Sequence, residues 1–384
     1  MSVRIASCLL TMVCAVTAAA AGQSRPQAPT IDTLAGGVLR VRNHAPTGWT
    51  GAASRHMVLE RTILSNEGVS LLAQPDQLAV ASGGEIVVHD LKQPGLLVFA
   101  PDGRFLRSIG NRGAGPGEFS AFARIAVRGD TVAVLDEGRA ITWRTNGTLL
   151  AQWRTDPCSC STSPVLDGRG GVLAPVRVER SGTRQLAMVR WTFNGMAHDT
   201  TFLPAPESEK AWLRLRDGSM VHLPFGAIGA GVFDVRRRYV YGNASQYHLI
   251  VLRPNEDSIQ VIEMPGARRP VSPSLRDSAY RKLMASPMVS PVLHQSDLAS
   301  VWPYFISLNL DSEDRLWLGR PTEAGTIDAF DVLAADGRWL GTVRAPDGAA
   351  LPFTNMVFTG GRMYRLAENE DGEPVIQVFR IVMP

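Results

Sequence analysis

The chain has 384 residues, 45% of them hydrophobic and 20% charged, with a formal net charge of +3, which is ordinary globular composition. Arg4, in the N-terminal segment, supplies one of those charges. So near-neutral a balance gives no electrostatic basis for nucleic-acid binding, and the short basic clusters Arg236-Arg237-Arg238 and Arg268-Arg269 read as solvated turns.

Met1 to Arg4 is a short positive start, Ile5 to Val16 is apolar and uncharged, and Thr17 to Ala21 supplies the small residues of an A-x-A cleavage site. This reads as a signal peptide over residues 1–21, cleaved near Ala20 or Ala21. The apolar stretch falls short of the roughly 20 residues that a spanning helix needs, so no transmembrane segment is expected. Cys14 follows Val13, where a lipid-anchor motif wants a small residue. A soluble protein exported to the periplasm or the extracellular space is the expectation.

Removing the leader takes Cys8 and Cys14 with it and leaves Cys158 and Cys160, a pair separated by one residue in a polar loop. An oxidising compartment favours a disulfide between them, although the ring would be tight. A redox pair and two soft metal ligands are the alternatives. Gln23 to Thr30 is polar and carries prolines, and a disordered spacer is expected over residues 22–50.

From residue 51 to residue 384 the chain reads as β-type runs separated by Gly, Asp, Asn and Pro turns, and the runs repeat. The copies are Gly83 to Gly110, Arg128 to Arg154, Arg169 to Leu203, Arg236 to Met264, Glu313 to Arg344 and Gly360 to Val382. Each reads as strand, loop, strand, turn, strand. An apolar or aromatic residue precedes the turn in four of them: Phe99 before Asp102-Gly103, Trp143 before Asn146-Gly147, Trp191 before Asn194-Gly195 and Leu333 before Asp336-Gly337. Asp-Gly and Asn-Gly pairs tolerate the positive φ that tight hairpins require. The sixth copy stops one strand short, and His56 to Leu64 is an orphan strand ahead of the first. Pairing the two would remove both irregularities and the exposed edges they imply.

One segment departs from the β pattern. Ser272 to Ser286 has a modest amphipathic face at Leu275, Ala279, Lys282 and Leu283, with Ser274 as a candidate N-cap and Asp277 three residues on. It lies inside a Pro-rich insertion over residues 265–303, which is expected to pack on one rim, where it could gate access to the centre.

The stretch "IGNRGAGPGEF" (Ile109 to Phe119) resembles the Gly-rich signature of NHL-type six-bladed β-propellers, ending in Pro-Gly-Glu-Phe. "VLDEGRAITW" (Val134 to Trp143) resembles the corner that follows it, with Asp136 and Arg139 at the matching places. The Pro-flanked helical insertion and "DRLWLG" (Asp314 to Gly319) are similar to exported bacterial proteins described as six-bladed β-propellers. The resemblance implies an all-β, six-bladed propeller; the short sixth copy and the orphan strand add closure by an N-terminal strand, and the helical insertion falls between blades four and five. The glycines let the chain cross between blades, Glu118 can bond backbone donors there, and Phe119 can wedge between blades. A phosphate cradle is excluded by the absence of a following Lys-Ser/Thr pair and helix.

Propeller sites form where loops converge on the channel mouth. The loop after the second strand of each copy presents His89-Asp90, Asp136-Glu137, Arg177, Asn243, Arg320 and Glu368-Asn369. His89, Asp136, Arg177, Asn243, Arg320 and Glu368 are therefore the candidate ligand-binding residues, with Asp136 and Arg139 as a structural ion pair in the plainer reading. No H-x-x-x-H, H-E-x-x-H or G-x-S-x-G pattern occurs. NHL-type amidating lyases carry a zinc bound by histidines from separate blades, a set that this chain does not visibly reproduce, and propeller lactonases use a Glu, Asn and Asp cluster around calcium. Asn243, Asn309, Asp136 and Glu368 are the residues available for the latter. The leading expectation is a monomeric binding module for a peptide, glycan or envelope protein. The alternative is a hydrolase, lactonase or lyase that depends on Ca or Zn.

Overall fold

The computed structural model describes residues 28–49, 55–63, 72–136, 138–155, 163–167, 169–180, 183–202, 211–233, 238–253, 258–346, 351 and 356–382. The leader over 1–21 and the pair Cys158 and Cys160 lie outside the described residues.

The repeated runs form antiparallel sheets in which neighbours in sequence are neighbours in space. Sheet A holds Pro75–Val80, Ile86–Asp90, Leu96–Phe99 and Phe105–Ile109, and sheet B holds Arg124–Arg128, Thr131–Asp136, Arg139–Arg144 and Leu149–Arg154. Sheet C holds Val165–Leu166, Gly171–Arg180, Thr183–Thr192 and Ala197–Phe202. Sheet D contains Gly229–Phe233, Tyr239–Asn243, His248–Leu252 and Ser258–Glu263, and sheet E contains Ser307–Leu310, Leu316–Pro321, Ile327–Leu333 and Trp339–Arg344. Sheet F contains Met356–Thr359, Arg362–Glu368 and Pro374–Val382, joined by Arg55–Ile63 from the other end of the chain.

Successive sheets share cores because their second and third strands are apolar on both faces. Val87 and Val98 of sheet A meet Ile125, Val132, Val134 and Trp143 of sheet B, with Phe119 fully buried between them. Sheet B meets sheet C through Leu135, Trp153, Val172 and Trp191. Sheet D meets sheet E through Val240, Leu249, Leu316 and Leu333, and sheet E meets sheet F through Trp317, Phe330, Phe358 and Phe379. Ile63, Tyr364, Ile376 and Val378 of sheet F pack on Leu78, Ile86, Val88 and Phe99 of sheet A. This is a β-propeller.

The turn pairs form as their sequence implies. The ladder shifts register one residue before the third turn in sheets A, B, C and E, and the Asp or Asn side chain caps the amide two residues on. Asp102 accepts from Arg104 at 3.0 Å, Asn146 from Thr148 at 3.0 Å and Asp336 from Arg338 at 3.1 Å. The signature loop also behaves as expected. Glu118 Oε2 accepts from the Gly115 amide at 2.8 Å, and Phe119 stands edge-on to Trp143.

The expected spacer over 22–50 needs correction. Thr30–Thr33 and Leu39–Arg42 form a hairpin whose second strand adds parallel to Ser258–Glu263. The run Leu39-Arg40-Val41-Arg42 alternates, burying Val41, and it covers an otherwise bare edge of sheet D. The chain continues across sheet E, where Thr47 N donates to Trp339 O and Trp49 N to Leu340 O. It then pairs Arg55–Ile63 against Pro374–Val382, from His56 opposite Val382 to Ile63 opposite Ile376.

The helix of the insertion spans Pro273–Met284. Its N-cap is Ser272, whose hydroxyl accepts from Leu275 N at 3.3 Å, and not Ser274. Pro273 decides this, because proline is preorganised for the first helical position and lacks an amide to cap. Ala279, Tyr280 and Leu283 pack on a small core of Leu215, Leu223, Val289, Leu293 and Leu298. Among the described residues, no helix is long and apolar enough to cross a membrane.

Candidate functional site

The strand registers place the candidate residues at one end of the sheets, where second strands run into third strands. His89 lies opposite Gln77, Asp136 opposite Arg139, Asn243 opposite His248 and Glu368 opposite Pro374, while Arg320 lies opposite Ala329. Arg177 lies opposite Leu186 on the corresponding strand of sheet C, and its side chain lies outside the described residues.

Most of these side chains serve their neighbours. His89 is buried, with Nδ1 2.5 Å from the Asp76 carboxylate, which also meets Arg124 at 3.2 Å. Asp136 is buried and accepts from Ser120 N at 3.0 Å and Arg139 Nη2 at 2.6 Å. Arg139 also donates to Ala114 O, which ties the signature loop to its corner. Asn243 is buried and accepts from Ser245 N. Arg320 forms a two-point bond with the fully buried Asp331, which also accepts from Tyr247 and Thr342. Burial, then the adjacent Asp331 charge, pushes the Tyr247 hydroxyl well above its usual pKa. Glu368 is exposed.

Three atoms at the junction of sheets A and B are buried without a hydrogen-bond partner: His89 Nε2, Asp136 Oδ1 and Arg112 Nη1. Arg112 donates to Asp90 O and lies over the Phe119 ring. Burial lowers its pKa, against the pull of Asp76, Asp90 and Asp136. Asp136 is already paired with Arg139, Asp331 with Arg320, and among the described residues no three His, Cys, Asp or Glu side chains come together as a ligand set. Asn309, considered for calcium, donates weakly to Ser307 at 3.4 Å.

A concave feature lies at the opposite end, where first strands turn back into second strands. A cavity of about 660 Å³ is lined from five sheets: Val80 and Ser82 of A, Val127, Arg128 and Thr131 of B, Leu166 and Phe193 of C, Leu310 and Asp311 of E, and Phe358 and Thr359 of F. Its volume lies in the range of small-molecule sites. Asp311 offers it no free charge, because its oxygens accept from Glu313 N, Arg315 N, Arg315 Nε and Trp317 Nε1, all within 3.0 Å. Arg128 has no hydrogen-bond or ion-pair partner among the described residues.

Sequence reading missed this end. Its walls are the last residues of first strands, which carry no motif and come together only when the sheets assemble around an axis. The insertion, expected to pack on one rim where it could gate access to the centre, bonds at the end away from this cavity: Arg269 donates to Pro321 O, and Tyr304 N, just past the insertion, to Ala244 O.

Residues 64–164 match the model of a family described as a 6-bladed beta-propeller. No curated protein matches the sequence. Among solved structures, the chain is similar to a Bacteroides fragilis protein described as exported, at 12% identity over 89% of this chain and 99% of that one, with a TM-score of 0.49. It is also similar to virginiamycin B lyase of Staphylococcus aureus (11%, 84% and 99%, 0.41) and to a gluconolactonase of Xanthomonas campestris (11%, 88% and 98%, 0.42). Likeness this remote says nothing of a shared reaction.

Proposed function

We propose that the protein is an exported six-bladed β-propeller, closed by the strand Arg55–Ile63, that works as a binding module. The ligand sits in the axial cavity at the hairpin end. The observation that carries this reading is a cavity of about 660 Å³ lined by residues from five sheets, because such a space exists only through the ring and its lining is largely preformed. The polar residues of the loop end are a weaker place for binding, since His89, Asp136, Asn243 and Arg320 already hold the scaffold. The cavity suits a small molecule or the tip of a peptide. The metal-dependent hydrolase, lactonase or lyase alternative has no ligand set among the described residues to build on.

Mature protein dialysed against a small-molecule extract of its native host, then washed and denatured, should release a compound detectable by mass spectrometry. Thr359→Trp, which fills the cavity from sheet F, should release much less of it. Equal release from both proteins, or none from the natural one, would refute the assignment.

A further inference from the structure

We infer that the cavity selects a ligand with a single negative charge on an apolar body, and that Arg128 is the residue that selects it. This rests on the reading that the axial cavity is the binding place.

The charge count within the lining sets the sign. Among the described residues, Arg128 and Asp311 are the charged residues that line the cavity. The Asp311 carboxylate is spent on two amides, Arg315 Nε and the Trp317 indole. The ion pair with Arg315 closes at 2.6 Å, and Asp311 itself is buried. Among the described residues, what remains available to a ligand is one guanidinium without a partner. Arg128 is half-buried at the end of the first strand of sheet B, just before the turn at Gly129. A guanidinium presents a planar fork of donors that matches a carboxylate or a sulfate oxygen pair. A neutral or cationic ligand would leave that fork unmet or repelled.

The remaining lining sets the body. Val80, Val127, Phe193 and Leu310 present aliphatic and aromatic surface, over the buried Leu166 and Phe358. They can take an alkyl or aryl group out of water, at about 25 cal/mol for each Å² covered. Ser82, Thr131, Ser312 and Thr359 supply hydroxyls around them, enough for one or two polar atoms and too few to match a polyhydroxylated sugar. A second negative charge would find no second free cation among the described lining residues.

Calorimetric titration with octanoate, octyl sulfate, octanol and octylamine tests both halves. Octanoate should bind about tenfold or more tightly than octanol, the effect of one charge-assisted bond, and octylamine should bind worst. Arg128→Gln should erase the advantage of octanoate while leaving octanol unchanged, and Arg128→Lys should retain part of it. Added salt should weaken octanoate and spare octanol, a comparison that needs no variant if Arg128→Gln fails to fold. Comparing octyl sulfate with octanoate shows whether the anion is preferentially a carboxylate. If octanol binds as well as octanoate and Thr359→Trp abolishes both, the charge selection is wrong and the cavity reading stands. If octanoate binds tightly but neither Arg128→Gln nor Thr359→Trp weakens it, both are wrong.

Discussion

Gly195 and Gly337 hold the same place in sheets C and E, and the cost of replacing them measures how tightly neighbouring blades interlock. Each has positive φ, 82° and 87°. A Cβ at Gly195 would sit 2.9 Å from Trp153 Cβ on the outer strand of sheet B, and one at Gly337 would sit 2.7 Å from Ile262 on sheet D. Gly147, at φ 93°, has the same turn but meets nothing within 4 Å. Gly147→Ala should therefore cost only the strain of a left-handed alanine, about 1–2 kcal/mol. Gly195→Ala should cost a further ~1–2 kcal/mol because a tryptophan must move. Urea unfolding of the two variants checks the difference, and equal losses would mean that the blades yield there. Asp331 makes a second case. It is fully buried and accepts from Arg320, Tyr247 and Thr342. Asp331→Ala strands those donors and should lose about 2–3 kcal/mol, discounted because Arg320 is partly solvated. The loss should appear in unfolding free energy and leave octanoate affinity unchanged, since this cluster lies at the far end from the cavity.

At the level of elements, the N-terminal segment is a strap across three sheets. Its hairpin extends sheet D, Trp49 N bonds to Leu340 O of sheet E, and Arg55–Ile63 completes sheet F. Glu60 anchors the last of these by meeting Arg362 at 2.7 Å. That hydrogen bond, helped by Arg61 and opposed by burial, holds the Glu60 carboxyl down at about 2, against an ordinary 4.5. A carboxyl depressed in the folded state stabilises above its unfolded pKa and loses that contribution as pH falls through the folded value. The melting temperature of the natural protein should thus exceed that of Glu60→Gln at neutral pH, by what ~1 kcal/mol or less provides. The two curves should converge between pH 4.5 and about 2. A gap that persists at the acid end would exclude this ion pair as the cause. The strap was half legible in the sequence. His56 to Leu64 betrayed itself as a strand with no partner beside a copy with one strand missing. The hairpin did not, because Thr30–Thr33 and Leu39–Arg42 are short, half-exposed strands amid prolines and glycines, where composition outweighs a four-residue alternation. The helix start was misplaced for a similar local reason, Pro273 having more influence than the serine that follows it.

Across the whole molecule, the ring was readable because it is written repeatedly, in apolar or aromatic anchor, Asp-Gly or Asn-Gly turn and β-type runs, whereas its cavity is written nowhere. Arg128, Phe193, Leu310 and Thr359 converge only through assembly, and the conspicuous polar corners at the other end prove to be mostly ties within and between blades. The same geometry fixes an order of folding. Glu60 and Arg362 are 302 residues apart in sequence, and the strand that carries Glu60 pairs with the last described strand of the chain. Closing a loop of that length costs about 5 kcal/mol of chain entropy before any contact repays it, while each sheet from A to E can form from neighbouring hairpins. Non-local pairing of this kind is slow. In refolding followed by pulsed hydrogen exchange, amides of Thr131–Asp136 and Arg139–Arg144 should gain protection first. Those of Arg55–Ile63 and Pro374–Val382 should gain it together, in the slowest phase. Deleting residues up to 63 should remove that phase, lower stability and leave the edge of Pro374–Val382 open to pairing between molecules, visible as concentration-dependent association. Early protection of Arg55–Ile63, or a monomeric deletion variant that melts with the natural protein, would show that the ring does not depend on its N-terminal strand for closure.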